Sequence, residues 1–399
     1  ASKGFRNIAL ACRESDEKDI AKDGYIYLGF VAIIDPVREG VREAISVAQN
    51  AGIEVVMITG DHPNTALFIA KELGIAISKD EVIDGVGISH WQEIGLPKEK
   101  IAHKRVFARV SPEQKQLIVK TFQNLGHFVA VTGDGVNDAP ALKYANIGIS
   151  MGKSGTDVAR ESSDLILTDD SFSSIVNGIE EGRVAYDNIR KVIHLLISTG
   201  FAEIVLIFLS MLFLLPIPLL PVQLLWLNLV TNGIQDIALG LEKAEPRVLK
   251  REARDPKEPI FNKSMISRVV VGGLYMGISA FAVFYTLLQF GYAEDMARNI
   301  TLLLMVLFEN VHVFNSRTEK YYLFNIDHSK NRFLWISVII AQGVHILSMY
   351  SPFMQSILKV QPVSLEVWGG LLVIAIVLML VMEIEKFIRV FRGSLKFES

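Results

Sequence analysis

Two hydropathy regimes divide this 399-residue chain. Up to about residue 185, short apolar runs alternate with amphipathic stretches; beyond it, apolar runs of membrane length dominate. Phe5–Cys12 has a short helical or strand pattern that leads into a polar loop, Arg13–Gly24. Tyr27–Ile34 reads as a buried strand, Val41–Ala51 as an amphipathic helix and Ile53–Ile58 as the next strand. Thr65–Leu73 and Lys115–Asn124 continue as helices, and His127–Val131 has the look of another buried strand. Strands alternating with helices predict a parallel sheet covered on both faces, an α/β fold of Rossmann-like kind. Ile83–Lys104 is less regular and reads as a small insertion.

The second regime holds six candidate membrane helices, near 190–214, 221–241, 266–290, 298–316, 332–352 and 364–388. Each is about 20 residues long, enough to cross a hydrocarbon core. The basic residues between them fix an orientation. Glu242–Ser267 carries Lys243, Arg247, Lys250, Arg251, Arg254, Lys257 and Lys263; Arg317–Arg332 is basic too, as is the tail with Lys386, Arg389, Arg392 and Lys396. Pro216–Pro221 and Gly291–Ala297 have no Lys or Arg, and Ser351–Glu366 has only Lys359. The positive-inside rule then puts both ends of the chain, and the α/β part, on the cytoplasmic side, with the cell membrane as the expected location. Ser171–Ile193 reads as helix, with Asp169 or Asp170 as its N-cap, and no breaker separates it from the first apolar run. One long helix linking the two regimes is therefore expected.

Composition narrows the picture only a little. A chain 50% hydrophobic and 21% charged, with mean hydropathy +0.35, is a soluble part joined to a membrane part. The net charge of −3 argues against a nucleic-acid partner. One cysteine, Cys12, rules out a disulfide framework and fits a reducing compartment. The chain begins without Met and in mid-pattern, so it is expected to be a piece of a longer protein.

The most informative string is Thr132-Gly-Asp-Gly-Val-Asn-Asp-Ala-Pro-Ala-Leu-Lys143, which follows the His127–Val131 strand. Asp134 and Asp138 sit in its Gly-rich turn. Acid groups just past the carboxyl end of a strand are where α/β folds bind ligands, and two hard oxygen ligands suit Mg²⁺. Three other segments belong with it. Thr59-Gly60-Asp61 follows a strand and offers a hydroxyl and backbone N–H groups for phosphate oxygens. Ala108-Arg-Val-Ser-Pro-Glu-Gln-Lys115 precedes a helix and places Lys115 as a point charge. Asp35-Pro36-Val37-Arg38 closes the first strand. Gly148–Ser154 mimics a P-loop but has three residues between its glycines where four are needed, so it reads as an ordinary loop with Lys153 in solvent.

Together these strings resemble the cytoplasmic motifs of the P-type ATPases, ion pumps with a haloacid-dehalogenase-like domain and an aspartyl-phosphate cycle. The resemblance implies that Thr59, Gly60, Asp61 and Lys115 handle the phosphate, that Asp134 ligates Mg²⁺, and that Asn137 and Asp138 support the site, Asp138 as an indirect metal partner. It implies that Arg6, Arg38 and Arg109 lie near ATP, Arg6 through the segment Phe5-Arg-Asn-Ile-Ala-Leu-Ala11. Val37 departs from the family pattern, which has a second Pro there. Neither Asp-Lys-Thr-Gly-Thr, which carries the phosphorylated Asp, nor Thr-Gly-Glu-Ser occurs in these 399 residues. The resemblance therefore covers the C-terminal half of such a pump, with residues 1–28 the tail of a nucleotide-binding domain, 29–182 the phosphorylation domain and 183–399 a six-helix membrane domain. By itself this half is expected to be inactive and to partner the N-terminal half, membrane lipids and a transported cation.

Polar residues inside apolar spans are costly and functional by default. Glu203 lies in the first span; Asn228, Thr231, Asn232 and Asp236 in the second; Glu309, His312 and Asn315 in the fourth. Asn228, Thr231 and Asn232 share a helix face, which Asp236 extends by one turn. Gly233 is the position where the helix is expected to loosen and offer carbonyls. Pro221–Thr231 resembles the calcium-pump branch of the family, in which Glu203, Asn228, Thr231 and Glu309 match cation-coordinating positions. Asn232 stands where that branch has Asp, and Gly200 where it has Asn, which leaves Ca²⁺, H⁺, Na⁺ and other cations open. Two other readings compete: a lipid-translocating relative, against which the membrane carboxylates count, and a non-catalytic truncated or split membrane subunit.

Overall fold

A computed structural model describes residues 5–13, 24–33, 36–95, 98–245, 247–319 and 321–391, side chains 6, 7, 98 and 324 excepted. The chain forms two compact units, one of Ala1–Glu180 with Arg247–Pro256, the other of Glu181–Pro246 with Lys257–Ser399.

The first unit begins with β1 (Arg6–Cys12) and β2 (Ile26–Ile33), paired antiparallel to each other. Here the sequence reading needs correction. Tyr27–Ile34 was expected as a buried strand of the parallel sheet, but β2 joins β1 alone and both its faces are open, with Ile26 and Phe30 each 66% exposed. An unbroken apolar run looks the same in a strand covered on both faces and in one that the described residues leave open.

The rest of the unit follows the βα alternation: α1 (Val41–Asn50), β3 (Met57–Ile58), α2 (Pro63–Glu72), β4 (Val82–Asp84), α3 (Gly85–Glu93), α4 (Lys98–Ala102), β5 (Val106–Ala108), α5 (Pro112–Asn124), β6 (Ala130–Gly133), α6 (Ala139–Tyr144), β7 (Ile147–Met151), α7 (Asp157–Glu161) and β8 (Leu165–Leu167). Two three-stranded parallel sheets result, ordered β3-β5-β4 and β6-β7-β8. Val82–Asp84, expected within an insertion, is a strand paired with β5, so that region is part of the sheet. Helix α5 covers both sheets: its Ile118 and Phe122 pack with Ile58 of β3, Phe107 of β5 and Val129 beside β6. Phe107 has no exposed surface and meets Phe122 edge-on at 6.3 Å.

The second unit is helical. Helix α8 (Phe172–Leu212) runs unbroken for 41 residues, as the absence of a breaker predicted. At 1.5 Å per residue it is roughly 60 Å long, about twice a hydrocarbon core. Then come α9 (Pro221–Leu225), a π-helical turn (Trp226–Thr231), α10 (Asn232–Gly240), α11 (Lys263–Gln289), α12 (Glu294–Ser316), α13 (Arg332–Tyr350), α14 (Pro352–Leu358) and α15 (Leu365–Phe391). Among the described residues five helices are long and apolar enough to cross a membrane: α8, α11, α12, α13 and α15. The expected sixth span, 221–241, is built of three short helical pieces. Helix α12 is the axis of this unit: nearly all of it from Ala297 to Ser316 is buried, and its apolar side chains form one core with α8, α11 and α15.

Small residues set the spacing around that axis. A Cβ added at Gly273 of α11 meets Phe201 Cδ1 of α8 at 2.6 Å, and one at Gly277 meets Val205 Cβ at 2.6 Å and the Ala202 carbonyl oxygen at 2.7 Å. Close helix contact through glycine substitutes for the hydrophobic drive that lipid cannot supply. Gly273→Leu is expected to force α11 off α8 and destabilise the unit by about 1–3 kcal/mol. Thermal melting of the purified chain in detergent checks it; an unchanged melting temperature would show that this contact does not hold the helices.

Candidate functional site

Three of the sequence strings meet where parallel strands end. Past β3, the Thr59 hydroxyl donates to Asp61 Oδ2 at 3.1 Å and accepts the Asp61 N–H at 3.1 Å, which closes a tight turn. Past β5, the Arg109 N–H donates to the Asp61 carbonyl at 3.2 Å and the Val110 N–H to that of Thr59 at 3.5 Å. These bonds tie the second string to the first, with Arg109 in the left-handed region at φ 50°. Ser111 then caps α5: its hydroxyl accepts the Gln114 N–H at 3.3 Å while Gln114 Oε1 accepts the Ser111 N–H at 3.0 Å. This capping box fixes the start of the helix and hence the direction of Lys115 in its first turn.

Lys115 reaches the third string. Its Nζ lies 2.6 Å from Asp138 Oδ1, both side chains mostly buried. The other Asp138 oxygen accepts the Gly135 N–H at 3.1 Å and the Asp134 N–H at 3.3 Å. Glycine at 133 is required by this arrangement, because a Cβ there would sit 2.5 Å from Asp138 Cβ. Both oxygens of Asp138 are thus engaged within the chain. Asp134 is held at its carbonyl, which accepts the Thr156 N–H at 2.8 Å, and its side chain is exposed, as is that of Asn137. One free carboxylate on an immobilised turn fits Mg²⁺, which keeps most of its waters and takes one or two carboxylates beside phosphate oxygens.

The expected nucleotide residues are placed less uniformly. Arg109 is exposed beside the Thr59 turn. Arg38 instead donates to the Asp170 carbonyl at 3.0 Å. Arg6 opens β1 and its side chain lies outside the described ones, as does Asp35. The P-loop mimic is bound from within the chain. The Lys153 and Ser154 N–H groups donate to Asp170 at 2.9 and 2.8 Å, and Lys153 itself is exposed. Of the two expected caps for α8, Asp169 accepts the Ser171 N–H at 3.1 Å and the Ser174 hydroxyl at 2.6 Å, while Asp170 turns to the loop. The Lys153 N–H foremost, opposed by desolvation and helped by Ser154, holds the Asp170 carboxyl down at about 2.

In the helical unit, polar side chains from α8, the π-turn, α10 and α12 form a second cluster. Asn228 Nδ2 donates to both oxygens of Glu203, at 3.0 and 3.2 Å. The Thr231 hydroxyl bonds Glu309 Oε2 and the Leu227 carbonyl. Asn232 Nδ2 donates to Thr199 Oγ1 at 3.1 Å. Asp236 is half-buried on the next turn, and its Oδ1 has no partner. The expected loosening at Gly233 is displaced: Gly233 lies in regular helix, and the irregular turn is Trp226–Thr231. A π-turn inserts one residue per turn and misaligns carbonyls without needing glycine. The Trp226 indole N–H, donating to His345 Nδ1 at 3.1 Å, anchors it to α13. His312, expected among the polar residues of α12, instead stacks on His194 at 5.0 Å, and the Asn315 carbonyl accepts from Arg268 at 3.1 Å.

Four buried oxygens in this cluster lack any donor: Asn232 Oδ1, Gln235 Oε1, Asp236 Oδ1 and Glu309 Oε1. Each such oxygen costs about 1–3 kcal/mol unless something positive meets it. Gln235 is the residue that sequence reasoning missed. It stands three residues beyond Asn232 and seven beyond Asn228, on the same face, so helical spacing alone was enough to find it.

Comparison with known proteins agrees with this division of the chain. Residues 3–146 match the family of haloacid dehalogenase-like hydrolases, and residues 216–388 match that of the cation transporting ATPase C-terminus. A calcium-transporting ATPase of Bacillus subtilis is 40% identical over 379 residues, covering 92% of this chain and 42% of that protein. A cation-transporting ATPase of Synechocystis is 36% identical over 385 residues, with the same 92% and 42% coverage. The human calcium-transporting ATPase type 2C member 1 is 34% identical over 341 residues, covering 85% of this chain and 37% of its own length. The chain thus spans about two-fifths of the length of these relatives.

The Asp170 bonds have a pH signature. A carboxyl held near 2 in the fold and near 3.8 when free stabilises the 152–155 loop above pH 4, and that stabilisation fades as pH falls toward 2. Protection factors of the Lys153 and Ser154 amides, measured by hydrogen exchange, are expected to drop over that window in the wild type. In Asp170→Asn they are expected to be low and flat. A wild-type profile without the drop would contradict the assignment.

Proposed function

The chain belongs to the P-type cation-transporting ATPases, and from that premise we propose that it supplies the phosphate-handling turn and the cation pathway of an ATP-driven pump. The observation that carries this reading is the Lys115–Asp138 pair, which draws the strings after β3, β5 and β6 into one polar site. In the same chain, Glu203 and Glu309 lie buried among apolar helices.

In this reading Asp134 holds Mg²⁺, which when bound neutralises phosphate charge. Thr59 and the N–H groups of its turn bind phosphate oxygens, and Lys115 adds a positive charge oriented by Asp138. Arg38, Arg109 and Arg6 serve the ATP side. The Asp that accepts the phosphoryl group is supplied by a segment outside these 399 residues. Two features support that: β1 and β2 present large apolar side chains on both faces, and no strand among the described residues covers the free edges of β3 and β6. The helical unit makes six crossings, the sixth being 221–240 with its π-turn at the cluster. Broken helices at mid-membrane sites are how transporters offer oxygens to ions. Glu203, Asn228, Thr231, Asn232, Asp236 and Glu309 bind the transported cation. Residues 1–28, 29–182 and 183–399 are then nucleotide-domain tail, phosphorylation domain and membrane domain, the first two on the cytoplasmic side of the cell membrane.

The test uses the complete pump, reconstituted in vesicles with ATP and a panel of Ca²⁺, Mn²⁺, Na⁺ and H⁺ gradients. Transport of one of these is expected. Lys115→Ala is expected to slow phosphoenzyme formation roughly 10²-fold. Glu203→Gln is expected to abolish cation dependence while leaving phosphorylation from inorganic phosphate intact. Normal transport by Glu203→Gln would sink the cation-site reading.

A further inference from the structure

Gln235 is placed by the fold in a way that its neighbours on α10 do not require. It has no exposed surface. Its Nε2 donates to Asn310 Oδ1 on α12 at 2.6 Å, and Asn310 Nδ2 donates in turn to Gln342 Oε1 on α13 at 2.7 Å. Three amides in series have a direction. The donor end of this relay is Gln342, whose Nε2 is buried without an acceptor, and the acceptor end is Gln235, whose Oε1 is buried without a donor.

Asn232, one turn earlier, repeats the pattern. Its Nδ2 is committed to Thr199 Oγ1. The Thr199 hydroxyl proton goes to the helix carbonyls of Leu195 and Leu196, at 3.0 and 3.1 Å. Thr199 can therefore only accept from Asn232, which fixes the amide with its oxygen turned away. Each of these amides of α10 thus gives an N–H to a neighbouring helix and leaves its carbonyl oxygen without a donor. Beside them are the free oxygens of Asp236 and Glu309. Four partnerless acceptors and no partnerless donor on α10 and at Glu309 describe a surface for a cation. The polar atoms left without any partner there are all oxygens, which suits a cation.

We propose that Gln235 is a further ligand of the transported cation, presented oxygen-first by the Asn310–Gln342 relay. A hard divalent cation such as Ca²⁺, the probe used below, takes six to eight oxygens, neutral carbonyls included, at flexible geometry. The neutral oxygens of Asn232 and Gln235 then add to the unpartnered carboxylate oxygens of Glu309 and Asp236. Asn310 and Gln342 are positioning residues. This inference rests on the reading of the helical cluster as the cation site.

Equilibrium binding of radiolabelled Ca²⁺ to the full chain in detergent tests it, with size-exclusion profiles to verify each variant. Gln235→Leu is expected to weaken binding about tenfold or more, and Asn310→Leu by a similar factor, since outer-shell partners typically change metal affinity 10–100-fold. Asn310→Asp, which keeps the acceptor for Gln235 Nε2, is expected to restore it to within about threefold. Glu309→Gln is the control for the site as a whole. Loss of binding in Glu309→Gln with wild-type affinity in Gln235→Leu overturns the inference alone. Unchanged binding in Glu309→Gln overturns the cation-site reading itself. If Gln235→Leu does not fold, wild-type affinity in a folded Asn310→Leu overturns the inference, as does a wild-type chain that binds no Ca²⁺.

Discussion

A polar group shut away from water must find a partner inside the protein, and that constraint organises the helical unit. Helix α12 has almost no exposed surface between Ala297 and Ser316, yet it contains Asn299, Thr301, Glu309, Asn310, His312 and Asn315. Their needs decide what packs against it. Thr231 bonds Glu309 from the π-turn, Gln235 bonds Asn310 from α10, and Gln342 completes that link from α13. Near one end, Glu242 after α10 pairs with Arg317 after α12 at 2.7 Å, and Asn331 at the head of α13 donates to Glu242 at 2.7 Å. Asn188 of α8 donates to the Gly240 and Glu242 carbonyls and so caps α10. Burying such a pair is not in itself stabilising, but leaving one member alone is strongly destabilising, so these contacts specify which helix neighbours which.

The same logic distinguishes support from function in both units. Asp138 and Asp170 have every described acceptor role filled by a lysine or by backbone N–H groups, so they shape turns. Asp134 is anchored through its backbone and keeps its carboxylate open. In the helices, Glu203 is oriented by Asn228, and Glu309 is held through one oxygen by Thr231 and keeps the other. A scaffold that fixes a group and leaves its reactive oxygen unspent is preorganised, and preorganisation is what makes charge stabilisation effective in sites of low dielectric.

Much of the site was legible in the residues. The strings at Thr59, Ser111–Lys115 and Thr132–Lys143 announced a polar site at strand ends, and the structure joins them through short-range bonds. Two features were not legible, each for a physical reason. The exposure of the β1–β2 hairpin was hidden, because an apolar run reads the same covered or open. The π-turn at Trp226–Thr231 carries no composition signal: its residues suit an ordinary helix, and the anchor that holds it, His345, is 119 residues away.

Local rules operate within a few residues, and they decided the elements: apolar period for strands and helices, Ser111 and Pro112 for the start of α5, the lack of any breaker for the 41 residues of α8. They also decided which residue types stand at strand ends and inside the spans. Whether an oxygen ends up spent or free depends on partners 25 to 132 residues distant, such as Asn228 for Glu203 or Arg38 for the carbonyl of Asp170. Those pairings are fixed only when helices and sheets pack, because a hydrogen bond needs its donor within about 3 Å and no sequence interval specifies that distance.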